Sequence, residues 1–296
     1  MMLNVPLPAL DDPEGDRVPE DYPPVVDAHV HVFPDAVFKA VWKWFDEYGW
    51  PVRYQINSEK LLGFLFDRGV SHVVALQYAH KPGIATDLNR FMQTLCQLFP
   101  EKVTGLATVF PGEPGAADVL AEAFQGGLSG AKLHSHVQCF DMNDPAMDPI
   151  YDICASYEKP LVMHVGREPK SPAYACDPYL ICKAEKLDVV LRNFPTLKVC
   201  VPHLGADEFQ AYRFLIEKYD NLWLDTAMAI TDYLPGKNSV SLPEMRIERI
   251  MYGSDFPNIP YAWDRELNEL ADLVPDRTDL ARILGRNARE LYSLNP

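Results

Sequence analysis

The chain has 296 residues, 48% of them hydrophobic, enough for one large α/β domain or two small ones. Its net charge of −15 argues against a nucleic-acid partner, because phosphate binding needs a basic face. No apolar run approaches the ~20 residues that span a bilayer, and six scattered cysteines without a Cys-x-x-Cys pair read as reduced thiols of a cytoplasmic protein rather than a disulfide frame.

Residues 1–24 are acidic and proline-rich and lack the basic-then-apolar order of a signal peptide. They read as an arm that wraps the surface or stays mobile, ahead of a single domain over residues 25–296. From Val25 onward, short apolar runs of strand type alternate with longer amphipathic stretches. The runs are 25–31, 72–77, 103–109, 130–134, 160–164, 198–203, 222–225 and 250–255. Between them lies helix-type periodicity, for example from Ser58, an N-cap candidate, to Leu65. Eight β-then-α units over about 250 residues predict an α/β fold of the (β/α)8 TIM-barrel type. The alternative, a doubly wound open sheet, normally carries a glycine-rich phosphate turn, and no Gly-x-Gly-x-x-Gly occurs.

Two connections are long and follow strands, which places both on the catalytic face of a barrel. Residues 33–57 carry Trp42, Trp44, Phe45, Tyr48, Trp50 and Tyr54; residues 166–180 carry Arg167, Lys170, Tyr174 and Tyr179. Such loops are often lids or binding loops. The aromatic one equally reads as a helix packed on the domain or on a second copy of the chain, which makes a homodimer an expectation.

Histidines fall at the strand ends. His29 and His31, two apart in the first strand, share one face with Asp27. A lone His-x-His is a weak metal signal, but His134, His136, His164 and His203 also end strands, and the last strand ends at Asp255. A barrel gathers its strand ends into a ring. The set His29, His31, His164 and Asp255 then offers three imidazoles and a carboxylate, an N/O site suited to zinc, with manganese or iron as alternatives. The blander readings are a core histidine for His164 and a helix N-cap for Asp255. His72 begins a strand and reads as structural, whereas His80 follows one. Lys132 and His134 face the same way. A lysine inside a barrel is costly unless paired or modified. It reads as an ammonium holding Asp27 or an acidic group of substrate, with a carbamylated lysine bridging two ions as the alternative. Arg167 is a candidate to hold a substrate carboxylate bidentately; Arg53 and Lys81 read as surface charges.

Taken in order, these segments resemble the amidohydrolase superfamily, specifically its amidohydrolase-2 (aminocarboxymuconate-semialdehyde-decarboxylase-like) group. The resemblance rests on Asp27-x-His29-x-His31, Gly130-x-Lys132-x-His134, Pro160-x-x-x-His164-x-Gly166, His203-x-Gly205, Gly253-Ser254-Asp255-x-Pro257 and the closing Ile283-Leu284-Gly285-Arg286-Asn287-Ala288-Arg289. It implies a distorted barrel with one divalent ion, usually zinc, held by His29, His31, His164 and Asp255. It further implies that His203 activates the water, with Asp255 orienting it or shuttling a proton. The resulting expectation is a metal-dependent hydrolase of a lactone, ester or amide in a small, carboxylated substrate, with Arg167, His134 and Lys132 as substrate-binding candidates. A non-oxidative decarboxylase at the same site is the alternative, and a non-catalytic metal-binding module is the alternative of another class. The His-x-His opening argues mildly against resorcylate-type decarboxylases, which often open with Glu-x-His.

Overall fold

The computed structural model describes residues 7–168, 171–231 and 241–294. Residues 1–6 of the arm and Lys170 of the second long connection lie outside the described residues. Eight parallel strands form a distorted (β/α)8 barrel. They are β1 (Val26–His31), β2 (His72–Leu76), β3 (Val103–Gly105), β4 (Ala131–His134), β5 (Leu161–His164), β6 (Val199–Val201), β7 (Leu222–Asp225) and β8 (Ile250–Met251). Every residue in them is buried, because side chains on one face fill the barrel and those on the other meet the helices.

The distortion lies in how the ring closes. Strands β1 to β3 form one sheet and β4 to β8 another. Single bridges, Ala107 to Ala131 and Val30 to Phe256, join the two. Closure excludes the open doubly wound sheet. Three strands, β3, β6 and β8, fall short of the apolar runs by more than one residue, each for a local reason. The β3 ladder to β2 stops at Gly105, and two residues on Ala107 turns to β4, accepting from the Lys132 N–H at 2.8 Å. β6 ends at Val201 because Pro202 has no N–H to give. β8 spans two residues, after which the chain runs along β1 instead: the Ala28 N–H donates to the Tyr252 carbonyl at 2.9 Å, Asp255 N–H to His29 at 2.9 Å and His31 N–H to Phe256 at 2.8 Å.

The aromatic connection contains a helix, Asp35–Tyr48, followed by the helix Ser58–Asp67. Asn57, not Ser58, caps the second helix, accepting from the Lys60 N–H at 3.0 Å. The Ser58 hydroxyl instead donates to the Phe33 carbonyl at 2.8 Å and accepts from the Phe33 N–H at 3.1 Å, pinning the exit of β1. The arm wraps the surface over the residues described. The Ala9 N–H donates to Pro260 at 2.7 Å, Trp263 Nε1 to Gly15 at 3.0 Å and the Val18 N–H to Arg68 at 2.7 Å. His72 is held by the Glu101 carbonyl (2.9 Å) and the Thr104 hydroxyl (2.8 Å), away from the strand ends, as its structural reading requires.

Asn287 gives the closing Arg286-Asn287-Ala288 segment its reason. Its fully buried Nδ2 donates to the carbonyls of Ile247 and Ile250, each at 2.7 Å, and so ties the last helix to the start of β8. A buried carbonyl left unpaired costs about 1–3 kcal/mol. Asn287→Ala is therefore expected to lower unfolding stability by about 2–4 kcal/mol in urea denaturation followed by circular dichroism; a loss under about 0.5 kcal/mol would show that the two bonds do not hold this seam.

Candidate metal centre

The bonds from Asp255 and His31 to the neighbouring strand bring three side chains together. His29 Nε2 lies 3.2 Å from His31 Nε2 and 3.2 Å from Asp255 Oδ1, and His31 Nε2 lies 3.0 Å from the same oxygen. Donor atoms about 2.0–2.1 Å from a tetrahedral zinc ion lie about 3.3–3.4 Å apart, so the cluster is close to the spacing of an ion's ligands. His29 Nδ1 faces Asp225 Oδ2 at 2.9 Å, which makes it the donor and leaves Nε2 with a lone pair in the neutral ring. Burial, foremost, pushes His31 down to about 4, so it too offers a lone pair. Burial alone would raise the Asp255 carboxyl; positive charge shared with His29 and His31, as a proton here or a cation in its place, outweighs it and holds the carboxyl well below the usual range. Two lone pairs and a carboxylate oxygen in contact repel unless a proton or a cation lies among them. The donor set therefore fits a divalent ion. Asp255 adopts φ 62, a left-handed conformation that costs a non-glycine residue about 1–3 kcal/mol and that concentrates at functional sites.

Two buried carboxylates brace these ligands. Asp225 holds His29 and also accepts the backbone N–H groups of His203 (3.2 Å) and Ala227 (3.1 Å). Burial would raise its pKa, but His29 outweighs it and the net direction is down. Asp27 is engaged by the Ser254 hydroxyl and N–H and by the His29 N–H, and burial lifts its carboxyl to about 7. It serves as the brace between β1 and the Asp255 turn and does not join His29 and His31 as a third ligand on their face. Nor does it pair with Lys132.

His164 belongs to a second cluster. Its Nε2 lies 2.5 Å from Glu168 Oε1, and its Nδ1 lies 3.4 Å from His203 Nε2. His134 stacks on it with centroids 4.0 Å apart, and His136 Nε2 lies 3.3 Å from the other Glu168 oxygen. Burial holds His164 down to about 3 and His134 well below its ordinary value. The donor atoms of His134, His136 and His164 lie within 4.8 Å of one another, as do those of His164, Glu168 and His203. His203 follows β6 in a left-handed stretch (φ 57), and its Nδ1 lies 2.7 Å from the Ala227 carbonyl.

Above both clusters is a cavity of about 700 Å³. Its floor includes His31, His134, His164, Glu168, His203 and Asp255, and its walls come from the two long connections, which meet where Trp44 stacks on Tyr174 at 5.6 Å. His80 also lines it. Arg167 and Lys132 do not. The Arg167 Nε lies 3.2 Å from Glu208 Oε1, and its guanidinium sits over the Tyr179 ring at 5.7 Å, so its charge is already matched. Lys132 is fully buried inside the barrel. Burial, offset in part by Asp225 and Asp255, takes it down to about 8. Among the described residues no arginine or lysine lines the cavity.

The residues that sequence reasoning passed over are Asp225 and Glu168; His136 is noted at a strand end but given no role. Asp225 ends a predicted strand, so the rule that flagged Asp255 applies to it equally. His136 sits just past a strand end, and its signal was present. Glu168 comes from an irregular loop with no periodicity to reveal it.

Asp225→Ala is expected to weaken divalent-metal affinity about 10–100-fold, read by chelator competition, because partners that orient ligating histidines carry effects of that size. Unchanged affinity would remove Asp225 from the centre.

The family described as Amidohydrolase matches this chain over residues 26–294. No protein of curated function matches it in sequence. In structure it is similar to an uncharacterised TIM-barrel protein of Bordetella bronchiseptica, at TM-score 0.72 and 18% identity over 91% of this chain and 99% of that one. It is similar to 5-carboxyvanillate decarboxylase of Novosphingobium aromaticivorans, solved with manganese, at TM-score 0.64 and 15% identity over 97% and 99%. It is also similar to a probable 2-pyrone-4,6-dicarboxylic acid hydrolase of Acinetobacter baumannii, at TM-score 0.61 and 16% identity over 92% and 100%.

Proposed function

The chain belongs to the amidohydrolase family, and from that premise we propose that it is a metal-dependent hydrolase that cleaves a lactone, ester or amide bond of a small substrate. His29, His31 and Asp255 would hold the ion, with His164 as the further ligand that the resemblance implies. A divalent cation there supplies Lewis acidity, acidifying a water and polarising a carbonyl.

The observation that carries this reading is the orientation of His203. Its Nδ1 donates to the Ala227 carbonyl at 2.7 Å, so in the neutral ring the lone pair is on Nε2. His203 lines the cavity, and that Nε2 lies beside His164. This is the tautomer a general base needs. His203 Nε2 takes the proton of the attacking water, and the Ala227 carbonyl steadies the imidazolium through Nδ1. The same Nε2 then returns the proton to the departing oxygen or nitrogen. Asp225 holds the His203 backbone through its N–H, so one carboxylate sets both the base and the first ligand. His31 and Asp255 open onto the cavity, which argues against a sealed, purely structural ion site.

One observation favours decarboxylation as a second reading. Among the described residues no arginine or lysine lines the cavity, so the described walls leave a substrate carboxylate with the metal ion as its cationic partner and otherwise largely apolar surroundings. Such a carboxylate is poorly solvated, and loss of carbon dioxide removes that cost. The two reactions are separated by offering zinc-loaded and manganese-loaded protein a panel of lactones, amides and unsaturated or aromatic carboxylic acids. Bond hydrolysis without carbon dioxide release supports the first reading, and carbon dioxide release overturns it in favour of the second.

The site assignment has its own test. Purified protein is expected to carry about one divalent ion per chain, and the double change His29→Ala and His31→Ala to abolish both the ion and turnover. His203→Asn is expected to keep the ion and lower kcat about 10²–10⁴-fold; loss of the ion in that variant would make His203 a ligand instead of the base.

A further inference from the structure

Two thiols stand apart from the proposed chemistry and meet on one atom at the cavity wall. Cys139 Sγ lies 3.6 Å from the His136 carbonyl oxygen, and Cys176 Sγ lies 3.3 Å from the same oxygen. Two donors on one acceptor are held side by side. Cys139 is the exposed cysteine among the six, and Cys176 is half-buried behind it. The pair joins two separate pieces of the cavity. Cys139 ends the short helix Ser135–Gln138 after β4 and sits there in the left-handed conformation, with φ 53. Cys176 belongs to the connection that supplies Ala173, Tyr174 and Ala175 to the wall. That connection rests on the helix through the Tyr174 ring against His136, with centroids 4.6 Å apart.

The structure assigns Cys139 and Cys176 as an oxidative modification site: a dithiol that closes to a disulfide and thereby fixes the wall segment 171–179 against the turn that carries His136. The oxidant is a peroxide. The Cys139 thiolate, reached from solvent, attacks a peroxide oxygen of hydrogen peroxide, the O–O bond breaks, and one water leaves with Cys139 as the sulfenic acid. The Cys176 thiolate then attacks that sulfur, the S–O bond breaks, and a second water leaves. Two sulfurs lose two electrons and two protons, and the peroxide is reduced to two waters. Exposure sets the order: Cys139 meets the oxidant from solvent, and the half-buried Cys176 beside it resolves the sulfenic acid. The other cysteines do not offer the same pairing. Cys182 is buried and engaged by the Ser135 hydroxyl at 2.9 Å; Cys154 and Cys200 are buried, and Cys96 is distant in the helix Ala85–Leu98.

The test uses the full chain, exposed to hydrogen peroxide and alkylated under non-reducing conditions. Tandem mass spectrometry is expected to find a Cys139–Cys176 cross-link, lighter by two hydrogens, with Cys154 and Cys200 still alkylatable after unfolding. Chymotryptic cutting at Tyr174 and Tyr179 is expected to slow at least several-fold in the cross-linked protein and to recover with dithiothreitol. Cys139→Ser and Cys176→Ser should each abolish both effects while keeping the unoxidised cutting rate. A link from Cys176 to Cys182, or sulfinic acid at Cys139 with no link, overturns the pairing. A Cys139–Cys176 link with unchanged cutting overturns the fixing of the wall.

Discussion

The seam between β1 and residues 252–256 carries the architecture and the candidate chemistry together. The barrel closes there through one bridge and three backbone hydrogen bonds. One of those bonds ties the Asp255 N–H to the His29 carbonyl, and another ties the His31 N–H to Phe256. The closure and the meeting of two imidazoles with a carboxylate are therefore one event. Asp27 reinforces it from behind by accepting from Ser254 on the other side of the seam. A barrel that failed to close here would keep most of its strands and lose its electron-rich centre.

Charge at this centre is arranged in layers. The innermost atoms are lone pairs kept available by burial, as with His31, or by a hydrogen bond on the far side of the ring, as with His29. Behind them Asp225 fixes the His29 tautomer and the backbone of His203 with its two oxygens. Lys132 lies deeper still, inside the barrel rather than in the cavity, where the nearest acidic charges are Asp225 and Asp255. One ammonium thus offsets part of the charge of two carboxylates, and the remainder is left to recruit a cation. That explains a lysine in the barrel without giving it a contact to substrate.

The ring of strand ends was readable from the chain because a barrel converts a one-dimensional rule, polar residues at the ends of apolar runs, into a three-dimensional cluster. His29, His31 and Asp255 follow that rule and converge. His164 and His203 follow it and reach the same cavity, although His164 turns its Nε2 to Glu168. The rule says nothing of side chains from irregular loops: of two residues adjacent in sequence, Arg167 stood out as a cation and Glu168 did not, whereas the Glu168 carboxylate faces the floor and the Arg167 guanidinium pairs with Glu208. Strand ends were overextended where an apolar residue continues the pattern but the partner strand changes, as at Ala107, or where the N–H is missing, as at Pro202. Periodicity reports which residues are buried; it carries no information on where a ladder runs out of partners.

The stacking of Trp44 on Tyr174 has an evolutionary side. The floor of the cavity is built from strand ends locked into the barrel's hydrogen bonding, and a change there disturbs the fold. The walls come from the helix Asp35–Tyr48 and the 171–179 segment, which touch each other through aromatic rings rather than through the ladder. Residues such as Val37, Val41 and Trp44 line the cavity from outside the ladder and outside the ligand cluster. Divergence in what is bound is thereby uncoupled from divergence in how it is transformed, and a lineage of such chains can explore new molecules while its reactive core stands still.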